Sequence, residues 1–137
     1  MVRPLSTILT LASVLLLGAC GDDSDNLNQN APTPISVTET FSGTLNPNGG
    51  ATSTFVVQQI GNVTATLTTL SPEGTIIGLS LGTWNGQACQ VILANDNAAQ
   101  GNSVIGAATS PGTFCARVYD VGKLISLADY EISVTHF

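Results

Sequence analysis

Positive charge is scarce in this 137-residue chain, which has 3 Lys and Arg residues, 9 Asp and Glu residues and a formal net charge of −6. Proteins that bind nucleic acid neutralise phosphate groups with clustered Lys and Arg side chains. We therefore predict that this chain binds no nucleic acid. Anionic lipid head groups also repel an acidic surface, so electrostatic attraction is not expected to hold the protein on a membrane.

Side chains that commonly act in catalysis or bind metals are also scarce. His136 is the only histidine. No Gly-x-Ser-x-Gly elbow accompanies it, and the chain has no second histidine to serve as a base. The run Asn95-Asp96-Asn97 allows a calcium site, but it has one carboxylate and lacks EF-hand spacing, so we favour a solvated loop. We predict no enzymatic activity, no metal site and no cofactor.

The first residues have the pattern of a signal peptide. Arg3 precedes an apolar stretch, residues 8–17, that is shorter than the roughly 20 residues needed to cross a bilayer. The stretch ends in Leu17-Gly18-Ala19-Cys20, which resembles the lipobox of bacterial lipoproteins. The resemblance implies cleavage after residue 19, a diacylglycerol on the Cys20 sulfur and an anchor in the membrane of a bacterial envelope. An ordinary secretory signal with a chance cysteine is the alternative.

Residues 20–35 are predicted to be a lipidated cysteine followed by a flexible linker, because they are almost entirely polar and cannot bury enough surface to offset their ordering entropy. The linker begins with Gly21. Lipoproteins that stay in the inner membrane of enterobacteria have an aspartate at this position, directly after the lipidated cysteine. We therefore predict the outer membrane. The acidic residues Asp22, Asp23 and Asp25 resemble the export signal of some surface lipoproteins, but we favour solvation of the linker as their role.

From residue 36 to residue 137 the pattern changes to short segments of alternating apolar and polar residues, separated by Gly, Pro and Asn. This pattern predicts an all-β domain, an antiparallel β-sandwich of about eight strands, with no helix. The expected strands lie near residues 36–45, 51–59, 63–68, 77–81, 88–94, 103–108, 114–119 and 130–135. Asp120 and Lys123, on either side of Gly122, are predicted to shape a turn. His136 is predicted to be a strand-end residue partly covered by the sheet.

Several segments of this region resemble the bacterial pre-peptidase C-terminal (PPC-like) domain family. The resemblance rests on Phe41-Ser42-Gly43-Thr44-Leu45, on Gly61 and the alternating residues after it, and on residues 111–122 leading to Tyr130-Glu131-Ile132-Ser133-Val134. It implies a jelly-roll-like sandwich that accompanies exported proteins. No peptidase domain precedes the region, so the resemblance does not by itself imply a peptidase-associated role.

Cys89 and Cys115 are the only cysteines of the predicted domain. An exported protein folds in an oxidising compartment, so the two are predicted to form a disulfide. A redox-active pair would have Cys-x-x-Cys spacing, and a metal site would need further Cys or His ligands. The bridge is therefore expected to be structural.

Two classes of function remain open for the domain. The first is a non-catalytic structural or protein-binding module at the cell envelope, with an envelope protein as its partner. The second is a carbohydrate-binding module, or an accessory domain of a secreted hydrolase, in which Trp84 offers an aromatic platform and Asn85 and Gln87 offer amides to a glycan. A tryptophan beside an Asn-Gly turn also commonly serves to pack against the sheet.

Overall fold

The computed structural model describes residues 32–137, and residues 33–137 form one compact unit. The described residues form eight strands and no helix, so this part of the chain has no helix long and apolar enough to cross a membrane. The strands are β1 (Val37–Leu45), β2 (Gly50–Val57), β3 (Gly61–Ser71), β4 (Ile77–Trp84), β5 (Cys89–Ala98), β6 (Ser103–Ala108), β7 (Gly112–Tyr119) and β8 (Ala128–His136).

The strands form two antiparallel sheets of four strands that pack as a sandwich. One sheet has the order β1-β8-β3-β6 and the other has the order β2-β7-β4-β5. Only β4 and β5 are both consecutive in the chain and adjacent in a sheet, and every other connection crosses from one sheet to the other. This is the strand order of an eight-stranded jelly roll.

The core lies between the sheets. It is formed by the apolar residues of the alternating pattern from which the strands were predicted. Along β8, Ala128, Tyr130, Ile132 and Val134 are buried, whereas the residues between them are more exposed. Strand β4 is the exception, because its first six residues are buried on both faces. On its outer face the Tyr119 side chain covers Gly78, where a Cβ atom would overlap the tyrosine ring.

The sandwich has two distinguishable ends. At the entry end, where the described chain enters β1, Val37 pairs with His136, and the backbone N–H of Gln58 donates to the Phe137 carbonyl (2.8 Å). The β2–β3, β4–β5 and β6–β7 connections lie at this end. At the far end Leu45 pairs with Ala128, and the remaining four connections lie there.

Candidate functional site

The predicted lipidation site, Cys20, lies outside the described residues, as do the rest of the lipobox and most of the predicted linker. The structure therefore bears on the candidate residues of the sandwich alone. Those residues are the cysteine pair, the Trp84 hairpin, the single histidine, the Asp120 loop and the Asn95-Asp96-Asn97 run.

The two cysteines lie at disulfide distance, with their Cα atoms 5.8 Å apart. Cys89 begins β5 and Cys115 lies in β7, so the bridge links two strands that flank β4 in the same sheet. Gly82 of β4 makes this possible, because a Cβ atom there would overlap the carbonyl oxygen of Gln90. The absence of a side chain at Gly82 lets the start of β5 lie close enough to β4 for Cys89 to reach Cys115. The sequence pattern did not single out this glycine.

The Trp84 hairpin connects β4 to β5 at the entry end. The Asn85 side-chain carbonyl accepts hydrogen bonds from the backbone N–H groups of Gln87 (2.9 Å) and Ala88 (2.8 Å). This oxygen therefore closes the turn, which is a common use of asparagine in loops. The Trp84 ring is half-buried and Gln87 is exposed. The three residues proposed to contact a glycan do lie together, but the Asn85 oxygen is already engaged by the backbone.

His136 is more deeply buried than its position near the end of a strand suggests, with a side chain that is 2% exposed. Its ring stacks on Phe55, with 5.2 Å between the centroids. Its Nε2 atom lies 3.0 Å from the Glu39 Oε1 atom and donates to that carboxylate oxygen. The expectation of partial cover is therefore wrong, and Glu39 is a partner that sequence reasoning missed. Strand β1 brings Glu39 beside β8 although the two residues are 97 positions apart.

Asp120 organises the loop between β7 and β8, as predicted. Its Oδ1 atom accepts hydrogen bonds from the backbone N–H groups of Gly122, Lys123 and Leu124, and its Oδ2 atom accepts one from the backbone N–H of Asn48 (2.8 Å). Asn48 lies in the β1–β2 turn with a φ of 59°, a left-handed conformation that asparagine tolerates. Asp120 therefore joins two loops at the far end, and its oxygens serve the backbone.

The hydrogen bond from the Asn48 N–H is the main cause that lowers the pKa of Asp120, and those from Leu124, Lys123 and Gly122 lower it further. A carboxyl with a lowered pKa in the folded state stabilises the fold above its unfolded pKa, and this contribution is lost as the pH falls through the folded value. We expect Asp120→Asn to lower the melting temperature by a constant amount between neutral pH and about pH 5, and by progressively less below about pH 4.

Thermal melts followed by circular dichroism across this pH range would test the prediction. Glu73→Gln, at an exposed carboxyl in the β3–β4 connection, is the control for loss of one negative charge. A difference between wild type and Asp120→Asn that stays constant down to pH about 2 would show that the carboxylate charge contributes nothing through these hydrogen bonds.

The Asn95-Asp96-Asn97 run lies within β5. The expectation of a solvated loop is therefore wrong. Asp96 accepts a hydrogen bond from the Tyr119 hydroxyl, and the Asn97 side-chain oxygen accepts one from Lys123 Nζ (3.1 Å). Burial and the bond to Asp96 raise the pKa of Tyr119 to about 12. Within residues 32–137, no three His, Cys, Asp or Glu side chains converge as a metal site would require. These groups tie β5 to β7 and to the β7–β8 loop.

Two kinds of concavity are present in the described domain. A crevice of about 70 Å³ opens between the edge strands β5 and β6, with an apolar lining that includes Leu81, Ile92 and Phe114. It is far smaller than the roughly 300–1,000 Å³ of typical small-molecule sites. Two open grooves of about 490 and 310 Å³ lie at the far end, beside the β3–β4 connection and the Lys123–Ser126 segment.

No protein-family model matches the chain, and no similar curated protein is found.

Proposed function

We propose that the protein is a bacterial envelope lipoprotein, anchored through Cys20, whose β-sandwich is a non-catalytic module that contacts another envelope protein. The observation that carries the anchor is the sequence Leu17-Gly18-Ala19-Cys20 at the end of an apolar stretch too short to span a bilayer. A diacyl anchor is sufficient for stable attachment, because two acyl chains hold a protein on a membrane where one binds only marginally. The outer membrane is the proposed address, and a PPC-like ancestry is proposed for the sandwich.

The structural use of the domain's polar side chains supports a non-catalytic role. His136 is buried and bonded to Glu39, and a general base must reach its substrate. The carboxylate of Asp120 is surrounded by backbone N–H groups, and Asp96 holds the Tyr119 hydroxyl. Side chains engaged in this way stabilise loops and strands. This use is consistent with a domain that binds a partner through its surface and carries out no catalysis.

A carbohydrate-binding role has weaker support. Glycan sites present an open aromatic face and free hydrogen-bonding groups, whereas the Trp84 ring is half-buried and the Asn85 oxygen closes the hairpin. The grooves at the far end are larger, and the connections that line them carry charged and polar side chains such as Glu73 and Lys123. Because the hairpin proposed for a glycan has a half-buried tryptophan and an amide oxygen already bonded to the backbone, we prefer a protein partner.

Lipidation is tested by Cys20→Ser. We expect the wild-type protein to partition into the detergent phase and to carry the mass of a diacylglycerol, and the variant to remain in the aqueous phase or to accumulate as an uncleaved precursor. Gly18→Ala is the matched control, because alanine is common at this position of the lipobox and processing should continue. Unchanged mass and unchanged partitioning in Cys20→Ser would contradict the proposed anchor.

The contact role is tested by chemical cross-linking of the protein in its own envelope. A reproducible cross-linked neighbour that is retained in wild type and lost in Cys20→Ser is expected, because release from the membrane removes the domain from its partner. Hydrolysis of an envelope substrate by the purified protein would instead favour an enzyme.

A further inference from the structure

The large apolar side chains exposed on the described domain are concentrated at one end. Eight of the ten lie in the half of the sandwich nearer the entry end, and they include Ile60 and Ile92, each 66% exposed. The eight are Ile35, Val37, Val56, Ile60, Val91, Ile92, Leu93 and Ile105. The other two, Ile125 and Leu127, lie in the loop between β7 and β8 at the far end.

Charged side chains have the opposite distribution. The residues nearer the far end are Glu73, Asp96, Arg117, Asp120, Lys123, Asp129 and Glu131. The entry half of the described domain has Glu39 alone, and its carboxylate is bonded to the buried His136. The connections at the entry end, residues 58–60, 85–88 and 109–111, contain no charged side chain. The sandwich is therefore amphipathic along its long axis.

The chain that carries Cys20 enters the domain at this same apolar end. Ser36 lies 16 positions after Cys20, and a random-coil linker of that length would have a root-mean-square span of about 20–25 Å. A nine-residue strand such as β1 is about 30 Å long. A lipid on Cys20 would thus lie closer to the entry end than to the far end, which places the uncharged end toward the bilayer.

The Trp84 hairpin belongs to this end as well. Tryptophan is enriched where one part of a side chain contacts the apolar layer of a membrane and its N–H stays among polar groups. Trp84 is the last residue of β4 at the entry end, and it is half-buried. The connection that follows it carries no charge. The same end therefore combines exposed isoleucines, a tryptophan and uncharged amide turns, and this combination is suited to the head-group region of a bilayer.

The geometry points to the entry end as a membrane-docking surface that rests on the lipid bilayer into which Cys20 is anchored. This inference rests on the proposed lipidation. The net negative charge of the domain does not oppose it, because the charge lies mainly on the half that faces away. Docking would leave the far end, with its two grooves, directed away from the membrane and accessible to a partner.

Trp84 is the only tryptophan and provides an intrinsic probe. The full-length lipidated protein is reconstituted into phosphatidylethanolamine and phosphatidylglycerol vesicles that contain nitroxide-labelled phosphatidylcholine, and quenching of Trp84 fluorescence is measured. The test variant combines Ile60→Asp with Ile92→Asp, and the matched control is Ile125→Asp, since Ile125 is 99% exposed at the far end. All these residues are exposed, so the melting temperature should change little.

We expect nitroxide quenching of Trp84 in wild type and in Ile125→Asp, and its reduction to less than half in the double variant, with equal flotation of all three proteins. Flotation and acyl mass with no quenching of Trp84 would overturn docking and leave the anchor intact. Quenching that the double variant retains would also overturn it. A protein without acyl mass that does not float would refute the lipoprotein proposal and the docking with it.

A contact between two copies of this chain is the competing use of the same surface. Light scattering on the detergent-solubilised protein separates the two. A wild-type dimer that the double variant converts to a monomer, with Trp84 unquenched in vesicles, would assign the entry end to self-association and overturn membrane docking. A monomer in detergent together with quenching in vesicles is the result expected from docking.

Discussion

Removal of the Cys89–Cys115 bridge is expected to lower the free energy of unfolding by about 3.5 kcal/mol, because the bond closes a loop between residues 26 positions apart and restricts the unfolded chain. This is a large part of the roughly 5–15 kcal/mol that stabilises a typical domain. The melting temperature should fall by more than about 10 °C for a domain of this size. Denaturant unfolding of wild type and of Cys89→Ala/Cys115→Ala would measure the difference.

The control is wild-type protein alkylated without prior reduction, which has no effect on a bridged pair. Non-reducing mass spectrometry should identify one peptide pair that contains both cysteines. Free thiols in protein purified from the envelope would contradict the bridge. A stability loss below about 1 kcal/mol would mean that the unfolded chain is already restricted without it.

The second large effect is expected at His136. His136→Ala should lower the free energy of unfolding by about 2–4 kcal/mol, because it removes a buried ring from the stack on Phe55 and leaves a cavity. Glu39→Ala should lower the free energy of unfolding by less. The Glu39 side chain is 39% exposed, so water can take the place of its carboxylate as the acceptor for the His136 N–H. Denaturant unfolding of both variants and of the double variant gives the coupling energy between the two side chains.

His136→Phe is the matched variant, since an aromatic ring can keep the stack on Phe55 while the bond to Glu39 is lost. It should recover most of the stability that His136→Ala loses. A stability loss below about 1 kcal/mol in His136→Ala would contradict close packing of the ring. Loss of an enzymatic activity in His136→Phe at unchanged stability would show that the histidine acts chemically, and it would overturn the non-catalytic proposal.

The buried histidine also bears on how the domain is arranged. The Glu39–His136 bond joins β1 to β8 at the entry end, where the Gln58 N–H also donates to the Phe137 carbonyl across the two sheets. Asp120 joins the β1–β2 turn to the β7–β8 loop at the far end. Both ends of the sandwich are thus closed by specific hydrogen bonds, and the exposed side chains outside them remain available for contact.

The local features of the fold are predictable from the amino-acid sequence alone. Alternation of apolar and polar residues has a period of two in any strand with one buried face, so eight strands and the inward side of Tyr130, Ile132 and Val134 were predictable. The role of Asp120 was predictable because it is also local. Three of its four hydrogen bonds reach backbone groups within four residues of it. The cysteine pair followed from there being two cysteines in the domain.

Apart from the β4–β5 hairpin, the choice of neighbouring strands follows from the three-dimensional fold, because the other pairs in this jelly roll join segments far apart in the chain and leave no local signal. The partnership of Glu39 with His136, the close approach at Gly82 and the cover of Gly78 by Tyr119 all depend on that pairing. The separation of apolar and charged ends depends on it too. Antiparallel strands alternate in direction, so residues scattered along the sequence gather at one end only when the sheets have formed.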